Sequence, residues 1–294
     1  MSKILYAVLF ITLFSACEKD INFDLKDASA LLVVDANIEN NQPPVVILTK
    51  SLDFYSTINP ALLFNSFVRN ADVRISNGTL THKLKEYGQQ VAGTDSLYYY
   101  SIDSANLATA FSGQLDTRYT LSIKISGEPE YTASTTVPKL AKRPDSIWWK
   151  PAPFSDDTTK VILMVKATDP PGLGNYVRYF TSKNNNPFLP GENSVFDDQV
   201  IDNTTYEIKV DPGINRNNPI PFDDNYFKRG DTVILKISNI DKPTYTFWST
   251  WEFAFQSIGN PFAQPNKVIG NISNGALGAF YGYASSSKTL AIPK

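Results

Sequence analysis

The chain has one cysteine, Cys17, and one histidine, His82, in 294 residues. A lone cysteine excludes an internal disulfide and a zinc site built on paired thiolates, and a lone histidine excludes a two-histidine metal site. The Gly-x-Ser-x-Gly elbow that presents a hydrolase serine is also missing. Charge is balanced: 27 Lys and Arg stand against 29 Asp and Glu, and no basic block breaks the balance. That pattern argues against a nucleic-acid partner and against adhesion to anionic lipid through charge. No apolar run reaches the roughly 20 residues that a membrane-spanning helix needs.

The short apolar run that does exist, Ile4 to Phe14, follows Lys3 and leads through Ser15-Ala16 into Cys17. This is signal-peptide anatomy over residues 1–16, with Cys17 as the residue that receives lipid. One acyl chain holds a protein only marginally, so stable anchoring calls for at least two on Cys17 and its glycerol. Residues 17–29 are short and polar and read as a tether. With Cys17 lipidated no thiol remains, and the folded part depends on its core. A hydrophobic content of 42%, with 15 Tyr and 18 Phe, supplies one, and its Thr, Tyr and Val favour strands.

The expected fold is mainly β: an immunoglobulin-like β-sandwich over residues 30–138, a linker at 139–144 bounded by Pro138 and Pro144, and a β-rich domain over 145–294. Val73 to Ser76 and Thr79 to Leu84 flank Asn77-Gly78, which predicts a hairpin with a two-residue turn. Tyr119 to Ile125 alternates apolar and polar residues and is answered by Tyr131 to Val137. Leu115-Asp-Thr-Arg-Tyr119 resembles the tyrosine corner of immunoglobulin-like sandwiches. Lys160 to Thr168 reads as a central strand. The Asn- and Pro-rich stretches between Thr181 and Arg229, interrupted by Thr204 to Val210, read as long surface loops, where binding residues concentrate. One helix is expected near 242–258, with Asp241 as its N-cap and Tyr245, Phe247, Trp248, Trp251 and Phe255 on its packing face. The glycines at 270, 275, 278 and 282 predict a turn-rich tail ending in a strand near Thr289.

The order of Gly230-Asp231, the aromatic helix, Gly259-Asn-Pro-Phe262, Asn271-Ile-Ser-Asn274-Gly275 and Gly278-Ala-Phe280 is similar to that of a Bacteroidota lipoprotein family catalogued as domain of unknown function 4249. Leu32 to Ile38, Ala71 to Ile75 and Tyr119 to Ile123 extend the resemblance through the first half. The resemblance implies a lipid-anchored outer-membrane protein encoded beside a TonB-dependent receptor. It implies no enzymatic activity and no cofactor, and brings no functional residues with it. Cys17-Glu-Lys-Asp20 also resembles the charged signal that sends such lipoproteins to the cell surface.

Side-chain chemistry adds modification sites and little else. Asp followed by Ser or Thr and then a small or apolar residue, which resembles the acceptor sequence of Bacteroidota O-glycosylation, marks Ser96, Ser104, Ser146, Thr158 and Thr232. His82 shares a strand face with Leu80 and Leu84 and reads as a packed imidazole. Asp197-Asp198 and Asp223-Asp224 lack the EF-hand spacing and read as solvated turns, so no metal is expected. The expected function is a non-enzymatic accessory, or ligand-capture partner, of a TonB-dependent transporter. A structural adhesin or fibre subunit is the alternative, and a carboxylate-dependent glycan-acting enzyme comes third.

Overall fold

The computed structural model describes residues 30–52, 59–92, 95–217, 226–260, 262, 264 and 266–294. Cys17, the leader and the Asp223-Asp224 pair lie outside them. The fold is mainly β, and Leu31–Lys294 forms one compact unit. Among the described residues no helix is long and apolar enough to cross a membrane.

In the first half, β1 (Leu32–Glu39) and β2 (Val45–Lys50) pair antiparallel, and β5 (Lys85–Ala92) and β6 (Asp95–Ser101) extend the same sheet beyond β2. A helix, α1 (Pro60–Asn65), bridges β2 to the facing sheet. That sheet runs β4-β3-β7-β8 from β3 (Asp72–Ser76), β4 (Thr81–Lys83), β7 (Thr117–Lys124) and β8 (Tyr131–Val137). Alternation decides what lies between the two sheets. Leu32, Val34, Ala36 and Ile38 of β1 meet Val73, Ile75, Leu121 and Ile123 across a closed core. The tyrosine corner is present: the Tyr119 ring is fully buried and its hydroxyl accepts the Gln114 N–H at 2.7 Å.

The β3–β4 hairpin closes differently from the expected two-residue turn. Ser76 pairs with Thr81, so the loop takes four residues, 77–80. The Asn77 carboxamide accepts both the Thr79 and Leu80 N–H, and this side-chain turn outcompetes the tighter one.

The second half forms another sandwich. Its inner sheet centres on β10 (Lys160–Thr168), flanked by β9 (Pro144–Pro151) on one side and by β13 (Thr205–Val210) and the short β14 (Phe227–Lys228) on the other. It packs on β11 (Tyr176–Lys183) and β15 (Thr232–Ile240) through Val161, Leu163, Val165, Val177, Val233 and Leu235. Within the stretches expected to be loop, Leu189–Phe196 is instead a strand, β12, at the sheet edge, while the interruption expected at Thr204 to Val210 is β13.

The final strand joins the halves. Instead of a turn-rich tail, Leu277–Ala291 is one strand, β16. Its first part pairs parallel with β1, from Val33–Leu277 to Glu39–Tyr283, and its second part pairs antiparallel with β15, from Asn239–Ala284 to Thr232–Ala291. The result is a single eight-stranded sheet, β12-β11-β15-β16-β1-β2-β6-β5, that serves both sandwiches. The domain boundary expected at 139–144 is corrected accordingly. That segment is anchored rather than free: Lys142 is buried, its N–H and C=O bond the Asn239 carboxamide, and its ammonium forms an ion pair with Asp169.

Two glycines explain why β16 was unreadable as a strand. A Cβ on Gly282 would lie 2.5 Å from the Thr136 carbonyl oxygen, and one on Gly278 would lie 2.0 Å from that of Val34. Both allow close backbone approach, a role that sequence cannot distinguish from a turn.

Candidate functional site

The helix α2 (Lys242–Gln256) starts as expected, with the Asp241 carboxylate accepting the Thr244 N–H and Pro243 in the first turn. The same carboxylate accepts the Thr136 N–H at 2.9 Å and so ties the helix to β8. Its aromatic face lies on the large sheet, where Phe247 stacks on Tyr281 and Trp248 meets Tyr281 at 5.3 Å between ring centres.

Strand alternation sets what α2 covers. Val177 and Tyr179 of β11 face the second sandwich, leaving Tyr176, Arg178 and Phe180 for the helix side. By the same period, Asp35, Asn37 and Glu39 of β1 stand beside Ala279, Tyr281 and Tyr283 of β16. On β15, Lys236 pairs with Phe180 and Ser238 with Arg178. Polar groups from four strands thus converge under one aromatic helix.

Two recesses open there, sharing Trp248, Trp251 and Tyr281 as walls. One, of about 1030 Å³, is floored by Val33 and Asp35 and bordered by residues 267–270. The other, of about 470 Å³, contains Arg178, Arg216 and Lys236 together with Phe180, Phe188 and Tyr283. Each cation lies over a ring: Arg178 is 3.4 Å from the Trp248 centre, Lys236 is 4.9 Å from Phe180 and from Phe188, and Arg216 is 5.1 Å from Trp251.

The charges differ in how they are met. Lys236 is paired with Glu39 at 3.2 Å and Arg216 with Glu252 at 3.3 Å. Glu252 also accepts the Ser194 N–H and hydroxyl. Arg178, 3% exposed, donates from Nε to the Ser194 hydroxyl and from Nη1 to the Tyr283 hydroxyl, both at 3.0 Å. It forms no ion pair among the described residues. Asp35 is the acid that feels it. The Asp35 side chain opens into the larger recess but is hemmed in by protein, and this desolvation pushes its pKa up against the downward pull of Arg178. Its carboxyl accepts the Tyr281 hydroxyl. Burial raises the Tyr283 phenol in the same way. The Trp248 indole N–H is buried with no hydrogen-bond partner among the described residues.

Elsewhere, a mainly apolar cavity of about 670 Å³ lies between the sheets of the second sandwich, lined by Val165, Val177, Leu235 and Tyr179 among others. Asp169, Asp198 and Asp202 bring carboxylate oxygens within 4.8 Å of one another. Asp198 is buried, which corrects its reading as a solvated turn: it accepts the Gly174 and Asn175 N–H groups. Burial alone would raise its pKa, but these bonds outweigh it and hold the carboxyl below its ordinary value. The Lys142 ammonium against Asp169 supplies this cluster with a cation from the chain itself.

The sequence-predicted modification sites are scattered. Ser104 and Thr158 lie exposed in turns, Ser146 and Thr232 are exposed on β9 and β15, and Ser96 is half-buried on β6. None belongs to the recess beneath α2. Arg178 and Asp35 went unremarked in the sequence, although an Arg flanked at ±2 by aromatics, and Asp, Asn and Glu alternating opposite a core face, were visible there.

A family model described as domain of unknown function (DUF4249) matches residues 18–289. The chain belongs to the DUF4249 family. No curated protein matches it. The block that carries this DUF4249 resemblance has a structural role in the fold. The Asn271 carboxamide bonds both the N–H and the C=O of Phe280 on β16, and also the Ser134 carbonyl, while Ser273 and Asn274 bond the edge of β8 at Thr132 and Glu130.

Proposed function

We propose that this DUF4249 protein is a Bacteroidota outer-membrane lipoprotein, anchored through Cys17, that captures a ligand at the cell surface for a TonB-dependent transporter without catalysing a reaction. The observation that carries the reading is the recess beneath α2. Cations stacked on rings, Arg178 held by hydroxyls and Lys236 and Arg216 by carboxylates, form a recognition surface whose Arg178 and Lys236 stand on strands of a rigid sheet. The lipid signal at Cys17 supports a membrane address for that surface, and a tether over residues 17–29 would give it reach. O-glycosylation at the acceptor sequences fits the same address, with Ser104, Ser146, Thr158 and Thr232 exposed; intact-mass measurement of native protein reads it directly.

Affinity purification from native membranes tests the reading. The wild-type chain is expected to bring down a TonB-dependent receptor in stoichiometric amount, whereas Cys17→Ser leaves the membrane fraction with its fold intact. Recovery of the anchored protein without a receptor overturns the proposal.

A further inference from the structure

The buried guanidinium of Arg178 is the anomaly of the recess. A charge removed from water is costly unless an opposite charge meets it. Lys236 and Arg216 are met by Glu39 and Glu252. Among the described residues Arg178 hydrogen-bonds only the neutral hydroxyls of Ser194 and Tyr283 and forms no ion pair; Asp35 acts on it through the field alone, its carboxyl turned to Tyr281. Bonds from Nε and Nη1 leave three of the five guanidinium N–H donors for a ligand. The plane of the group is already fixed by Trp248 at 3.4 Å. Few arrangements on the molecule are so prepared for an anion, and the 470 Å³ space lies directly against it.

We infer that the recess binds a small ligand through a carboxylate seated on Arg178, with the ligand's apolar or aromatic body held between Phe188 and Trp251. This rests on the capture function proposed above and names its ligand class. A planar carboxylate matches the guanidinium fork in shape. It also matches in charge: Lys236 and Arg216 are paired internally and Asp35 faces the neighbouring recess, so Arg178 is the one cation lining this space without an ion pair among the described residues, which a monoanion meets and a phosphate overshoots. The walls favour an apolar body, because Phe188, Leu189, Ile214 and Trp251 surround the opening.

Trp248 and Trp251 make the site self-reporting. Purified protein is titrated at neutral pH with 4-phenylbutyrate, N-acetylphenylalanine, acetate, the matched alcohol 4-phenylbutanol and inorganic phosphate, following tryptophan emission. The two apolar carboxylates are expected to saturate the signal, with the alcohol and phosphate weaker by about tenfold to a hundredfold, the scale set by loss of a charge-assisted hydrogen bond. Arg178→Gln should weaken the carboxylates by the same factor while its melting temperature stays close to wild type. Arg178→Lys, which keeps the charge and loses the fork, should fall between them and serves if the glutamine variant does not fold. Equal binding of acid and alcohol, undiminished binding by the Arg178 variants, tighter phosphate, or no saturable carboxylate signal each overturns the inference. Receptor recovery separates the two proposals: a receptor brought down by wild type and Arg178→Gln alike, with no carboxylate binding, overturns the ligand class and leaves the accessory function standing.

Discussion

At the scale of single residues, buried polar groups decide how tolerant the fold is. Lys142 and Asp169 are both about 1% exposed and meet as an ion pair. Removing one partner strands the other charge, so Lys142→Met should cost about 3–5 kcal/mol in urea unfolding, and Lys142→Met combined with Asp169→Asn should recover most of it. His82 is the packed imidazole that its strand face suggested, 1% exposed beside Leu84. Its Nε2 accepts the Asp103 N–H at 3.0 Å, which puts the proton on Nδ1, facing Thr109 Oγ1 at 2.9 Å. Burial depresses its pKa below the ordinary 6.5, against a weaker upward pull from Asp103. The unfolded chain therefore binds the proton more readily than the folded one. The contribution to stability is complete above pH 6.5 and is lost progressively as pH falls below it. His82→Gln keeps an acceptor but cannot titrate. Its denaturation midpoint should change less on acidification than that of wild type, while His82→Leu should cost about 1–3 kcal/mol at neutral pH by leaving the Asp103 N–H unpaired.

At the scale of elements, legibility followed periodicity. The strands β7, β8 and β10 and the capped helix α2 carry their alternation, caps and packing faces on the surface of the sequence, and they lie where those signals put them. The elements β12 and β16 do not. Leu189-Pro-Gly-Glu-Asn-Ser-Val-Phe196 breaks its period with Pro and Gly, and β16 spends two positions on glycines that admit a neighbouring backbone. Both strands are specified by what they pack against, which a local pattern does not record. The recess suffered the same way: alternation placed Asp35, Asn37 and Glu39 on one face of β1, but only the arrival of α2 turns that face from solvent into a site. Asn271 shows how β16 is held. Its carboxamide makes three bonds to Phe280 and Ser134, at 2.7, 2.8 and 3.2 Å. Asn271→Ala should cost about 2–3 kcal/mol at roughly 1 kcal/mol per bond, and Gly282→Ala about 1–3 kcal/mol by crowding Thr136. Hydrogen exchange checks the location, since both variants should lose protection first along residues 277–284.

At the scale of the whole molecule, each sandwich has its own hydrophobic core, a further apolar cluster lies beneath α2, and one eight-stranded sheet serves both sandwiches. Phe280 and Ala284 of β16 belong to the core of the first sandwich, and Leu290, six residues further on, packs against the core of the second. Prolines at 138 and 144 made residues 139–144 look like a boundary because local composition cannot report a strand arriving from more than 130 residues downstream. The consequence is energetic. A fragment ending at residue 138 loses Phe280 and Ala284 from its core, and β1 loses its parallel partner from Val33 to Glu39, exposing a row of unpaired backbone groups. Neither half is then expected to fold alone. Calorimetry on the mature chain should give a single cooperative transition, whereas residues 30–138 expressed separately should give none and aggregate through the bare β1 edge. Co-expression with residues 139–294 should restore a soluble complex, because β16 then arrives in trans. A monomeric 30–138 fragment that melts cooperatively would show that the shared strand is dispensable and that the sandwiches are independent domains after all.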